Sequence, residues 1–199
     1  QAKEYSTLEI VSEAVKEMSE GELLQIEKAR KLDIDEAIYF EVIRKKTASL
    51  LASCFAAGAS SSTNNQEDIK KMWNIGESAG IAFQIKDDLL DFDKSNVIGK
   101  PSGIDIKEKK MTLPLIYLLI HSPALKKRKI INIIKKHNSN SDKVNWVVNE
   151  IISVGGLKYA TEKMIDYSTK ALNLLHEYPE SNNRLALEQI IEVTIDRKK

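Results

Sequence analysis

Residues 80–93 read Gly80-Ile81-Ala82-Phe83-Gln84-Ile85-Lys86-Asp87-Asp88-Leu89-Leu90-Asp91-Phe92-Asp93, an apolar helical stretch that ends in carboxylates spaced as D-D-x-x-D. Side chains three and four positions apart share one face of a helix, so Asp87 and Asp91 are predicted to point the same way, flanked by Asp88. Ionised carboxylates this close repel each other and are costly to desolvate. A hard cation such as Mg²⁺, shared with a phosphate, would offset both costs.

The surroundings of this triplet decide between two interpretations. Acidic triplets on helices are common, and an isolated one most simply indicates a solvated helix face. Here apolar residues cover most of the remaining helix surface, so the aspartates are predicted to border a cavity. These flanking residues are Ile81, Ala82, Phe83, Ile85, Leu89, Leu90 and Phe92.

Cationic residues lie on both sides of the acidic stretch in the chain. The segment Gly99-Lys100-Pro101-Ser102-Gly103 contains helix breakers and predicts a loop, which Lys100 and Lys110 bracket. Upstream, Lys46 and Thr47 interrupt a helix that then becomes strongly apolar. A lysine on such a loop can neutralise diphosphate oxygens, although a basic loop alone indicates only a solvated surface. Carboxylates, lysines and a glycine-containing loop together predict a diphosphate held through a metal ion.

Five short motifs follow one another across roughly residues 10 to 120. They are Gly21-Glu22-x-x-Gln25, Lys46-Thr47, Phe83-Gln84-x-x-Asp87-Asp88-x-x-Asp91, Gly99-Lys100-x-x-Gly103-x-Asp105 and Lys110-x-Thr112-x-Pro114. Their combination, in this order, resembles the trans-prenyltransferases, the polyprenyl diphosphate synthases. The later part of the chain is compatible with that family but carries no motif.

The resemblance implies an activity and a role for each matching residue. Such an enzyme condenses isopentenyl diphosphate with an allylic prenyl diphosphate, uses Mg²⁺, and is usually a homodimer. It ionises the allylic diphosphate, and the double bond of isopentenyl diphosphate attacks the resulting cation. By this resemblance Asp87 binds Mg²⁺, with Asp88 and Asp91 as further ligands directly or through water. Lys46 and Lys100 contact the allylic diphosphate. Thr47 and Gln84 lie near the reacting carbons, and Phe83 and Lys110 complete the substrate site.

One departure from the family pattern limits this interpretation. Family members carry two aspartate-rich motifs on facing helices, whereas these 199 residues contain a single D-D-x-x-D. The chain is therefore expected to be the C-terminal part of a synthase, with the first motif before Gln1 and little or no activity alone. The expected fold is an all-α bundle resembling the isoprenoid synthase fold, with the N-terminal helices missing.

Composition excludes several other classes. A net charge of +1 does not favour nucleic-acid binding, although charged residues make up 30% of the chain. The single cysteine, Cys54, excludes an internal disulfide and fits a reducing compartment such as the cytoplasm. The apolar runs at 48–59 and 113–120 are shorter than the roughly 20 residues of a membrane span. The three histidines lack the spacing of a zinc site.

Hydrophobic periodicity predicts helices throughout, in one domain over residues 1–199. Asp33 and Asp35 supply the predicted N-cap of the second helix, before Glu36. The predicted helices are 8–32, 35–59, 66–92, 113–121, 123–137, 142–153, 157–177 and 183–197.

Three alternatives remain open from the sequence. A non-catalytic subunit of a heteromeric prenyl synthase would keep the fold without the chemistry, but has no need of Asp87, Lys46 and Lys100 together. A terpene cyclase would show N/D-D-x-x-S/T-x-x-x-E in place of the aspartate triplet. A helical interaction module with solvated acids would show no Mg²⁺-dependent pyrophosphate binding.

Overall fold

A computed structural model describes residues 2–32, 35–92 and 103–196, and within these ranges the chain forms helices and no strand. The prediction of an all-α fold is confirmed. The elements are α1 (Ala2–Lys31), α2 (Glu36–Ile43), a π-helical segment (Arg44–Ala48), α3 (Ser49–Ser62), α4 (Gln66–Leu90), α5 (Ile104–Lys107), α6 (Leu113–Ile120), α7 (Ala124–Lys136), α8 (Ser141–Ser153), α9 (Gly156–His176) and α10 (Asn182–Asp196).

Most predicted boundaries agree with the observed helices, and two differences matter for the site. The continuous helix predicted over 35–59 is divided by the π-helical segment, in which the hydrogen-bond ladder shifts by one residue. Residues 104–107, predicted as loop, form the short helix α5. The predicted N-cap is present, because the Asp35 carboxylate accepts a hydrogen bond from the Ile38 amide at 2.8 Å.

Helix α4 is the central element, and it packs most extensively against α3 and α9. Ile75 and Ile85 of α4 are fully buried. On the facing surface the small residues Ala48 and Ala52 are also fully buried. A Cβ added to Gly80 would lie 2.6 Å from the Ala48 Cα, so the backbones meet at a distance that only glycine allows.

The segment after α4 returns to the end of that helix. The Gly103 amide donates to the Asp91 carbonyl at 3.4 Å, and α5 follows immediately. The buried side chains of Met111, Thr112 and Leu113 then lead into the apolar helix α6. Residues 103–112 therefore cover the C-terminal end of α4, where the aspartate triplet lies.

None of the helices in the described ranges has the length and apolar character needed to cross a membrane. The predicted C-terminal helix runs to Arg197, which lies outside the described residues.

Candidate functional site

A cavity of about 470 Å³ lies between α1, α2, the π-helical segment, the C-terminal end of α4 and the segment after α5. Its lining combines acidic, basic and apolar side chains. The lining residues are Glu22, Gln25, Ile26, Ala29, Tyr39, Val42, Ile43, Lys46, Thr47, Gln84, Asp87, Asp88, Asp105, Glu108, Lys109, Lys110, Met111 and Thr112. Such a surface suits a ligand with a charged group and an apolar part.

The structure brings together six of the residues that the sequence singled out. Around this cavity lie Lys46, Thr47, Gln84, Asp87, Asp88 and Lys110. Two others, Phe83 and Asp91, are not among the described residues that line it. Lys100, predicted to contact the diphosphate, lies outside the described residues.

Polar side chains of α1 hold the Lys46 ammonium group. This group forms an ion pair with Glu22 at 2.5 Å and donates a hydrogen bond to the Gln25 Oε1 at 2.7 Å. Gly21 makes this geometry possible, because a Cβ at that position would lie 2.6 Å from the Lys46 backbone nitrogen. The Gly21-Glu22-x-x-Gln25 pattern thus has a structural reason: it lets α1 approach Lys46 and supplies its polar partners.

The π-helical segment carries both Lys46 and Thr47. A π turn inserts one extra residue into a helix, so the side chains after it are rotated relative to those before it. Lys46 and Thr47 consequently lie on the cavity, while the next residue, Ala48, lies fully buried against α4. The sequence showed only that polar residues interrupt an apolar helix here.

Asp88, the middle member of the acidic triplet, is buried, with 7% of its surface exposed to solvent. Its Oδ2 accepts a hydrogen bond from the Tyr39 hydroxyl at 2.7 Å, and its Oδ1 accepts one from the Gln84 Nε2 at 3.0 Å. Burial raises the pKa of the Asp88 carboxyl to about 7, and the hydrogen bonds from Tyr39 and Gln84 oppose that rise. A cation nearby would stabilise the charged form.

Asp91 faces α5 and not the cavity. Its carboxylate accepts hydrogen bonds from the amides of Ile104 at 3.0 Å and Asp105 at 3.2 Å. It is also buried, with 7% exposure. Asp91 therefore fastens the segment that carries Asp105 and Lys110 to the end of α4.

Lys110 lines the cavity from the segment after α5 and pairs with acidic neighbours. Its ammonium contacts Glu108 at 2.7 Å and Asp105 at 3.2 Å. The hydrogen bonds that it donates to the carboxylates of Glu108 and Asp105 raise the Lys110 pKa above its ordinary value despite partial burial. The lysine is therefore fully charged at neutral pH.

Sequence reasoning missed Tyr39, the buried partner of Asp88. One signal was available: a tyrosine within an apolar helix must find a partner for its hydroxyl when it is buried. The sequence could not say which carboxylate that partner would be, because 49 positions separate Tyr39 from Asp88. Glu108 and Lys109, which also line the cavity, were read only as part of a basic loop.

Comparison with known proteins gives a consistent result. The family model described as polyprenyl synthetase matches residues 1–151. The chain is 32% identical over 193 residues to a short chain isoprenyl diphosphate synthase of Methanothermobacter thermautotrophicus, covering 96% of this chain and 58% of that protein. It is 30% identical over 191 residues to the octaprenyl diphosphate synthase of Escherichia coli, covering 96% of this chain and 59% of that protein.

Solved structures agree with the fold. The geranylgeranyl pyrophosphate synthetase from Pyrococcus horikoshii superimposes with a TM-score of 0.91 at 30% identity, covering all of this chain and 60% of that one. The geranylgeranyl pyrophosphate synthase from Bacteroides thetaiotaomicron gives a TM-score of 0.88 at 36% identity, covering 97% of this chain and 64% of that one. The chain thus spans about three fifths of the length of the relatives it matches.

Proposed function

The chain belongs to the polyprenyl synthetase family, and we propose that it forms the part of a trans-polyprenyl diphosphate synthase that binds a diphosphate group. The proposed reaction condenses isopentenyl diphosphate with an allylic prenyl diphosphate to give a longer chain. The observation that carries the proposal is one cavity on which Lys46 and Lys110 meet Asp87 and Asp88 beside apolar walls. Charged residues there fit a diphosphate, and the apolar walls fit the start of a prenyl chain.

The residues present fit Mg²⁺ as the cofactor. Asp87, Asp88 and Asp105 place hard oxygen donors on one cavity. In the described part of the chain, no group of three or more acidic, histidine or cysteine side chains is placed to hold a metal ion. Mg²⁺ does not require such a group, because it usually keeps several waters and shares phosphate oxygens. We propose that Asp87, which is exposed on the cavity, binds the ion directly, whereas the buried Asp88 and Asp91 act through water.

Bound Mg²⁺ would neutralise diphosphate oxygens and so favour departure of the diphosphate. The lysines of this chain share that task. Lys46 and Lys110 are 40% and 48% exposed, and their present ion pairs are with Glu22 and with Asp105 and Glu108. Exposed pairs of this kind contribute only about 0–1 kcal/mol, so a diphosphate of higher charge can displace the acidic partners. Lys100 is proposed as a further contact.

Thr47 and Gln84 are proposed to face the reacting carbons. Their side chains line the cavity and join each other through a hydrogen bond of 2.8 Å. An oxygen dipole beside an allylic cation stabilises the positive charge that develops as the diphosphate leaves. The proposed reaction needs no protein nucleophile.

The chain contains one D-D-x-x-D, whereas the resemblance implies two facing motifs in an active enzyme. We therefore expect these 199 residues alone to turn over little substrate. A homodimer is the proposed assembly. A non-catalytic subunit remains the second candidate, and the same assay separates it from a synthase.

The test is an assay of the complete gene product with labelled isopentenyl diphosphate and allylic primers of increasing length, with product length read by chromatography. Asp87→Asn and Lys46→Gln are expected to lose most incorporation. Lys127→Gln on α7 removes the same charge as Lys46→Gln away from the cavity, and is the matched control with normal activity. No incorporation with any primer would refute the synthase. Incorporation only after adding a second synthase subunit would show a non-catalytic subunit.

A further inference from the structure

Four side chains form a continuous hydrogen-bonded series at one wall of the cavity. The Tyr39 hydroxyl contacts Asp88 at 2.7 Å, Gln84 contacts Asp88 at 3.0 Å, and Thr47 contacts Gln84 at 2.8 Å. They come from three elements: α2, α4 and the π-helical segment. All four line the cavity, so the series connects a buried phenol to a hydroxyl beside the ligand space.

When Asp88 is ionised, donor and acceptor chemistry fixes the direction of every bond in this series. An ionised carboxylate only accepts, so Asp88 requires a donor from both neighbours. The Gln84 amide must then turn its NH₂ group toward Asp88 and its oxygen toward Thr47. The Thr47 hydroxyl has a single proton, and it is donated to that oxygen. The remaining lone pairs of Thr47 are left for the cavity.

Resting on the proposed function, we propose that Tyr39 and Asp88 are positioning residues that set the polarity of Thr47. In this arrangement Asp88 acts through Gln84, and Tyr39 holds the second oxygen of Asp88 in place. Thr47 then presents an acceptor, not a proton, to the cavity. An acceptor stabilises positive charge on a substrate carbon, whereas a hydroxyl proton in the same place would oppose it.

Removing the charge of Asp88 breaks this series in a predictable way. The amide of an Asp88→Asn variant has one acceptor, yet both Tyr39 and Gln84 donate to this position. Either the Gln84 amide reverses, so that the Thr47 hydroxyl loses its acceptor, or the Tyr39 hydroxyl is left without an acceptor. We expect kcat to fall about tenfold to a hundredfold, the effect of one lost hydrogen bond to a charged group.

A second substitution can restore every hydrogen bond of the series, with the negative charge moved from position 88 to position 84. In the double variant Gln84→Glu with Asp88→Asn, the new amide donates to the new carboxylate and accepts from Tyr39. The new carboxylate accepts from Thr47, so the polarity at both ends is restored. Gln84→Glu alone places two carboxylates together and should also lose activity. Residues in contact show such non-additive effects in double-mutant cycles, so the double variant should recover kcat to within about threefold of the wild type.

The experiment measures kcat, KM and the Mg²⁺ concentration for half-maximal activity of these four forms of the complete protein. Recovery of kcat in the double variant at saturating Mg²⁺ supports the proposal. A double variant as inactive as Asp88→Asn at saturating Mg²⁺ would overturn it, because Asp88 would then act on a metal-bound water alone and not through Gln84. As the matched control, Gln84→Glu should not rescue Asp87→Asn, whose carboxyl is the exposed neighbour on the same cavity.

Thermal unfolding of the same four proteins separates this proposal from the proposed function. An inactive wild type would refute the synthase, but the hydrogen-bond series would still be judged by stability. A double variant that melts above both single variants supports the series. Melting at or below the less stable single variant would refute it, whatever the activity.

Discussion

Replacing Gly21 by alanine should destabilise the protein, although alanine is the better helix former. Gly21 is buried in α1. A Cβ there would lie 2.6 Å from the Lys46 nitrogen, 2.9 Å from the Lys45 Cβ and 3.0 Å from the Lys46 Cα, whereas ordinary contact begins near 3.4 Å. Two of these three atoms are backbone, so rotation of a side chain cannot relieve the overlap.

Two opposing effects set the size of the change. Alanine in a helix interior gains about 1 kcal/mol over glycine. Overpacking against a backbone typically costs about 1–3 kcal/mol and forces the elements apart. Because the overlap at Gly21 is with backbone atoms, we expect a cost of about 2–3 kcal/mol, so that the net free energy of unfolding falls by about 1–2 kcal/mol. In a chain of this size that lowers the melting temperature by about 2–8 °C.

Gly58 in α3 offers a matched control, because a Cβ at that position would meet nothing within 4 Å. Gly58→Ala should therefore raise the free energy of unfolding by about 0.5–1 kcal/mol. Urea unfolding and calorimetry of the two variants measure both signs. If Gly21→Ala were as stable as the wild type, the close approach of α1 to the π-helical segment would be wrong. Equal changes in the free energy of unfolding of the two variants would also refute that close approach.

Three further predictions concern single contacts. Asp91→Asn should lower the free energy of unfolding by about 1–3 kcal/mol, because an amide cannot accept from both the Ile104 and the Asp105 amides as the carboxylate does. Asp87→Asn, at an exposed position, should change it by less than about 0.5 kcal/mol, and urea unfolding compares the two variants. Lys46→Gln should weaken Mg²⁺-dependent pyrophosphate binding about tenfold by calorimetry, and unchanged affinity would contradict its role. Tyr159→Phe should cost about 1 kcal/mol in urea unfolding by removing the 2.6 Å bond to Glu36 that joins α9 to α2; no loss would argue against that bond.

The sequence was a good guide where the chemistry depends on helical spacing. Gln84, Asp87 and Asp88 lie on consecutive turns of one helix, and helical periodicity alone places them at one end of α4. The lysines and the threonine were identified by residue type and order along the chain. Their meeting around one cavity follows from the packing of α1, α2 and α4, which a pattern in one segment does not contain.

The features that the sequence missed depend on tertiary contact. The π-helical segment differs from an α-helix by one shifted hydrogen bond, which leaves the apolar pattern around Lys46 nearly unchanged. Helix α5 has four residues, and Asp91 caps it from another element. Such short helices are stabilised by neighbours rather than by their own residues, so local propensity does not predict them.

The aspartate triplet shows why identical residues at helical spacing need not share a function. Asp87 is exposed to the cavity, Asp88 is buried beneath it, and Asp91 is buried under α5. Positions three and four apart share a face only approximately, and at the end of α4 that face passes from solvent to protein within one turn. The repulsion that first suggested a shared cation is therefore relieved by protein donors at two of these carboxylates: by a phenol and an amide at Asp88, and by two backbone amides at Asp91. Under the proposed function, Asp87 binds the metal ion directly from its exposed position on the cavity, and the two buried carboxylates hold the walls around it.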